Sequence, residues 1–263
     1  MKTMSLWLGL LLVVGINGGC ASTTTSAISK AQAKTHYDIA IATFNAGDTR
    51  GALKELLASL ELDPNLPETH NALGLVYHSL KHLDEGLVHY NKAVELRPKF
   101  SQAHNNRGTL LVDLGRYDEA IASFKVAVGD ILYRTPSLAE GNMGWAYFKK
   151  GEPETGIKHI RNAVATNPKF CRGYEWLTRI ALKQDNPTEI IKNYSRFERH
   201  CASDSSLLKR IRVDYLRQMK YYYALGLLKQ GEQEQAREVL GECATPNSEG
   251  DFGAKCASAL KAL

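Results

Sequence analysis

The chain has 263 residues, 44% of them hydrophobic and 23% charged, a balance that supports a buried core and excludes a disordered polypeptide. Lys and Arg number 33 against 28 Asp and Glu, a net charge of +5. The densest basic run, Lys192 to Lys220, is broken by Glu198, Asp204 and Asp214. It reads as a solvated helix face, and no nucleic-acid partner is expected.

The N-terminus reads as a targeting segment. Lys2 gives a positive start, and Leu6 to Ile16 form an apolar stretch of about eleven residues. That is short of the roughly twenty needed to span a bilayer but suits a secretory signal. It ends Ile16-Asn17-Gly18-Gly19-Cys20, and small residues before a cysteine resemble the bacterial lipobox. Asn17 stands where that motif usually has an aliphatic residue. Residues 1–19 are therefore expected to be a lipoprotein signal peptide, and Cys20 the lipidated residue. The polar run Ala21-Ser22-Thr23-Thr24-Thr25-Ser26 marks 20–32 as a flexible tether. Ala21 in place of Asp resembles an outer-membrane sorting signal.

From Ala33 onward a pattern recurs. Asn71 to Asn105, Gly74 to Gly108, Tyr90 to Phe124, Ala93 to Ala127 and Pro64 to Pro98 are each 34 residues apart. Small, aromatic and small residues at this fixed period are the signature of the tetratricopeptide (TPR) helix–turn–helix repeat. Repeat one spans Ala33–Leu66, and repeats two and three run from Pro67 to Arg134. Repeat four spans Ser137–Phe170. Gly108 to Gly144 is 36 residues, so two extra residues fall in Gly129–Pro136, where Thr135 and Pro136 read as helix cap and first turn. Repeat five, Cys171–Asp204, is degenerate, with Asp185-Asn186-Pro187 at its turn. Repeat six fits only after an insertion of about twelve residues, and Ser206 to Gln230 reads as one long helix. The expected fold is all-α, a right-handed superhelical solenoid of about six repeats. Repeats one to five occupy 33–204, the long helix and repeat six 205–250, and a capping segment 251–263. Such an array shares one continuous core and needs an end cap.

Of five cysteines, setting Cys20 aside leaves four, an even number. Cys171 opens the first helix of repeat five and Cys201 follows its second. An antiparallel hairpin brings those ends together, so a Cys171–Cys201 disulfide is expected. Cys243 and Cys256 are then left to staple the capping segment. Closing the first loop contributes roughly 3–4 kcal/mol in the chain-entropy model, and an exported setting permits it.

Phosphate-binding loops, His-Glu-x-x-His helices and nucleophile elbows are all missing from the sequence. His70, His78 and His104 occupy recurring repeat slots, so no metal, cofactor, small-molecule substrate or enzymatic activity is expected. What remains is a binding groove. Positions five, nine and twelve of each repeat lie on one helix face: Tyr37, Ile41 and Phe44, then Asn71, Leu75 and His78, then Asn105, Thr109 and Val112, then Gly141, Trp145 and Phe148. This apolar and aromatic strip, with two Asn to pair with backbone, suits an extended or amphipathic protein segment. In the first repeat, Tyr37 and Ile41 stand where a clamp for a partner's terminal carboxylate would need basic residues.

The chain resembles the PilF/PilW/Tgl family of type IV pilus biogenesis lipoproteins, or pilotins. The resemblance is carried by Asn105-Asn106-Arg107-Gly108, by Gly115 to Ala120, by Leu132-Tyr133-Arg134-Thr135-Pro136 and by Asn142-Met143-Gly144. It covers roughly Ala31–His200, with Ile131 where the family's junction often has Pro. It implies a lipid anchor on the periplasmic face of the outer membrane, and binding of type IV pilus secretin monomers to promote their localisation and assembly. The alternative is a TPR lipoprotein of the NlpI type, which scaffolds peptidoglycan hydrolases.

Overall fold

The structure, a computed structural model, describes residues 20–208, 212–245 and 251–263. The signal segment, 1–19, and the Cys20 side chain lie outside the described residues. All regular structure among the described residues is helical. The first pairs are α1 (Cys20–Asn45) with α2 (Thr49–Leu62), α3 (Pro67–Ser79) with α4 (Leu83–Leu96), and α5 (Ser101–Asp113) with α6 (Tyr117–Val128). α7 (Pro136–Lys150) with α8 (Pro153–Thr166), and α9 (Cys171–Lys183) with α10 (Pro187–Phe197), complete the regular array. A π-helical turn, Glu198–Ala202, and α11 (Ser205–Leu208) follow, before the pair α12 (Val213–Gln230) and α13 (Gln233–Cys243) and the cap α14 (Phe252–Lys261). Each second helix packs on the first helix of the next pair, and α10 packs on α12. The molecule is a TPR solenoid.

The repeated small and aromatic residues make the close approach within each pair. A Cβ on Gly74 would lie 2.6 Å from the Tyr90 ring, and one on Gly108 2.6 Å from Phe124. Both rings are fully buried, so any larger residue would push the second helix away. The turn inside each pair needs one left-handed residue. Gly47, Lys81, Gly115, Gly151, Asp185 and Gly231 supply it. Their spacing is 34, except for 36 before Gly151 and 46 before Gly231, which locates the two insertions.

Four features differ from the sequence reading. The tether 20–32 is not extended: α1 already begins at Cys20. No Gly or Pro interrupts residues 20–45, and Ser29 Oγ donates to the Leu62 carbonyl at 2.6 Å, tying the added turns to α2. The single helix expected over Ser206–Gln230 is two, α11 and α12, because Arg212 is extended at φ −66°, ψ 139°. Residues 209–211 between them lie outside the described residues. Pro136 does open α7, but the Thr135 side chain makes no capping bond, and only its backbone carbonyl takes part, accepting from the Leu138 N–H at 3.1 Å. Gly141 is no groove residue, since a Cβ there would meet the Phe170 ring at 2.2 Å.

Cys171 and Cys201 are joined, with Cα atoms 5.9 Å apart, and Cys243 and Cys256 are joined across the same distance. The π-helical turn carries Cys201 inward, where it is fully buried. Tyr215 on α12 donates its hydroxyl to the Cys171 carbonyl at 3.1 Å, so the first bridge also anchors the irregular passage into repeat six.

Candidate functional site: a cleft across repeats three to five

First helices of successive repeats stand side by side with their position-nine and -twelve residues half-buried along one face, while at position five Asn71, Asn105 and Gly141 are buried. Tyr37, Ile41 and Phe44 pack partly buried on the core of the first two repeats. Leu75 and Val112 pack on the next cluster, and Trp145 and Phe148 on the third. These residues are half-buried, so each contributes to packing between repeats as well as to the surface.

The two asparagines have partners within the chain. Asn106 Nδ2 donates to Asn71 Oδ1 at 3.1 Å, and Asn142 Nδ2 donates to Asn105 Oδ1 at 2.9 Å. Asn71 and Asn105 are buried. Their side-chain carbonyls thus join neighbouring repeats in a ladder, and each keeps a second lone pair and its amide donors. His78 is similarly engaged, 2.8 Å from the Asp113 carboxylate of the next repeat.

Where α5, α7 and α9 converge, the surface deepens into a cleft of about 300 Å³ lined by Thr109, Val112, Asp113, Asn142, Trp145, Arg172, Glu175, Trp176 and Arg179. Trp145 stacks on Trp176, their centroids 5.3 Å apart and their planes 9° from parallel. The Arg179 guanidinium lies 4.8 Å from the Trp145 ring centre, and Lys183 Nζ lies 5.4 Å from that of Phe148. Arg179 Nη1 donates to Glu175 Oε1 at 3.2 Å. Burial pushes the Glu175 carboxyl upward, while Arg179 and Arg172 pull it back down.

Of the expected groove residues, the structure brings Val112 and Trp145 to this cleft, together with Thr109. Phe148 adjoins Trp145 at 5.1 Å between ring centres. Tyr37, Phe44, Asn71, Leu75 and His78 do not line it. Asn142, Arg172, Glu175, Trp176 and Arg179 were missed. The signal was available for two of them, because counting to positions five and nine from Cys171 reaches Glu175 and Arg179. Among the described residues no group of three or more His, Cys, Asp or Glu could hold a metal ion. The cleft offers aromatic faces, guanidinium donors and one buried carboxylate, a set suited to recognition.

Models of the tetratricopeptide repeat match residues 42–81, 67–100 and 89–122. No curated protein sequence matches the chain. Among solved structures, PilW, a widely conserved type IV pilus biogenesis factor, superposes with a TM-score of 0.73 at 20% identity, over 86% of this chain and 98% of PilW. PilF of Pseudomonas aeruginosa gives 0.70 at 16% identity, over 88% of this chain and 99% of PilF. MamA of Desulfovibrio magneticus RS-1 gives 0.55 at 20% identity, over 68% of this chain and 96% of the MamA fragment. With its glycine–aromatic helix pairs, its paired insertions and these superpositions, the chain is a TPR protein that shares the fold of PilW and PilF.

Proposed function

We propose that this chain is a pilotin: a lipoprotein on the periplasmic face of the outer membrane that binds type IV pilus secretin monomers and promotes their assembly. The observation that carries the reading is the near end-to-end likeness to PilW and PilF. PilW and PilF are themselves covered over 98% and 99% of their length, so the folds agree in extent as well as in kind. The lipobox-like Gly18-Gly19-Cys20 supports the anchor on Cys20, and two or three acyl chains would hold the protein stably at a membrane. The cleft at Trp145 supplies the recognition surface, because extended protein segments bind through aromatic burial and fixed polar contacts.

The test fills the cleft instead of emptying it. Removing Trp145 would also strip Trp176 and Arg179 of their contacts, and an Asp at Phe148 would lie beside Lys183. Thr109→Trp adds bulk from the cleft wall. In the native host, this variant should lower the detergent-resistant secretin multimer and surface pili, while Lys158→Ala should leave both intact. Helical circular dichroism and an acylated Cys20, read by mass spectrometry, establish that the variant is folded and anchored. Wild-type multimer levels in folded, acylated Thr109→Trp cells would remove the cleft from the mechanism.

A further inference from the structure

Resting on the reading of the cleft as the partner site, we infer that its occupant is an acidic protein segment, with carboxylates held by Arg172 and Arg179 over the paired tryptophans. The aromatic floor is not bare. Arg179 covers Trp145, Lys183 covers Phe148, and the Arg172 guanidinium lies 5.9 Å from the Trp176 ring centre. Lys149 joins Arg179 on the adjoining recess, beside Val112 and Asp113. A segment entering here meets cations before it meets indole.

The local acids offset only part of that charge: Glu175 pairs with Arg179 at 3.2 Å, and Asp113 lies 2.8 Å from His78, two carboxylates against Arg172, Arg179, Lys149 and Lys183. Arg172, Lys149 and Lys183 form no ion pair among the described residues. The Arg172 guanidinium, outside any ion pair among the described residues, keeps its N–H donors free, and Arg179 holds further donors beyond the Nη1 given to Glu175, so each can take a carboxylate. Arg172 and Arg179 are two helical turns apart, about 10 Å along α9, a distance an extended chain covers in about three residues. The fit is to a short extended run with acids a few residues apart and apolar side chains between them.

A fluorescein-labelled decapeptide of alternating leucine and glutamate serves as probe, against the same peptide with glutamine for glutamate. Fluorescence anisotropy on the full chain should show the acidic peptide bound about tenfold more tightly, the preference shrinking as salt rises from about 0.05 to about 0.5 M. Arg172→Gln, an exposed position whose loss leaves the Trp145–Trp176 stack in place, should remove most of the preference. Arg172→Gln with Arg179→Gln should abolish it, and Lys158→Gln should leave it unchanged. Equal affinity for the two peptides, or a preference that survives the double variant in a folded protein, overturns the inference. If the preference is absent while Thr109→Trp still depletes secretin multimers, the cleft stands as the partner site and its acidic occupant does not. If the preference is present and multimers are unaffected in Thr109→Trp, the chemistry stands and the cleft is not the secretin site.

Discussion

His70 and His89 face each other with their Nδ1 atoms 3.1 Å apart. His70 Nε2 lies 2.9 Å from the Pro64 carbonyl, so it donates there, leaving His70 Nδ1 to accept from His89. The same slots, 19 residues apart, hold His36 with Glu55 at 2.7 Å and Glu140 with His159 at 2.8 Å. Only in repeat two are both members of this clasp imidazoles. Burial, and then the neighbouring His70, push His89 down to about 4, and Tyr77 stacks on it at 5.4 Å. Because the folded value lies below the unfolded one, the unfolded state takes up the proton first. This site's contribution is therefore intact above about pH 6.5 and is lost as pH falls toward about 4. With His89 partly solvated, the loss by pH 5 should be about 1 kcal/mol, or a Tm lower by about 2–4 °C. His89→Glu recreates the His–Glu pairing of repeat one and should flatten that acid limb. A Tm-against-pH curve as steep as wild type between pH 7 and 5 would show that this pair does not titrate with folding.

At the scale of elements, the helix–turn–helix unit was legible because its constraint is local. A small residue facing an aromatic ring, and a left-handed residue in the turn, must recur wherever a pair forms. Helix ends were less legible. α1 starts at Cys20 because a Ser- and Thr-rich run with no Gly or Pro can continue a helix once Ser29 finds the Leu62 carbonyl, and composition alone reads that run as a tether. The break before α12 rests on the conformation of Arg212, which no residue type announces. The turns themselves carry a prediction. Lys81 holds φ 67°, where four of the six equivalent positions have glycine. Left-handed backbone costs a residue with a Cβ about 1–2 kcal/mol, part of which glycine's greater unfolded entropy offsets. Lys81→Gly should therefore stabilise the fold by about 0.5–1 kcal/mol in urea denaturation, and Gly115→Ala should destabilise it by about 1 kcal/mol. Asp185 should not gain in the same way, because its carboxylate pairs with Lys229 of α12. Unchanged urea midpoints in Lys81→Gly and Gly115→Ala would mean that the turns relax to ordinary backbone.

At the scale of the whole molecule, the solenoid and its two insertions could be read from the period, while the binding surface could be read only in part. Position counting finds the first-helix face but not which neighbours cover it. Arg179 over Trp145 and the Asn105–Asn142 bond join residues 34 and 37 apart through the stacking of repeats, and that stacking depends on packing details outside the repeat consensus. The same quasi-linear build means that a local weakness should stay local. The Cys171–Cys201 bridge closes a separation of 30 residues, worth about 3–4 kcal/mol in the chain-entropy model. It sits where the regular array gives way to the π-helical turn and α11, and Tyr215 ties α12 to its Cys171 end. Replacing both cysteines with alanine should therefore loosen α9, α10 and α12 without loosening α3 to α6. Native-state hydrogen exchange read by mass spectrometry separates the two outcomes, since each amide reports the free energy of its own opening. Peptides from 171–230 should exchange on the order of a hundredfold faster, the lost free energy being tempered by strain relief and residual unfolded structure. Peptides from 67–128 should keep wild-type rates. Acceleration by the same factor in both regions would show that the array opens as one cooperative unit, and that the bridge stabilises the whole solenoid instead of the passage into its last pair.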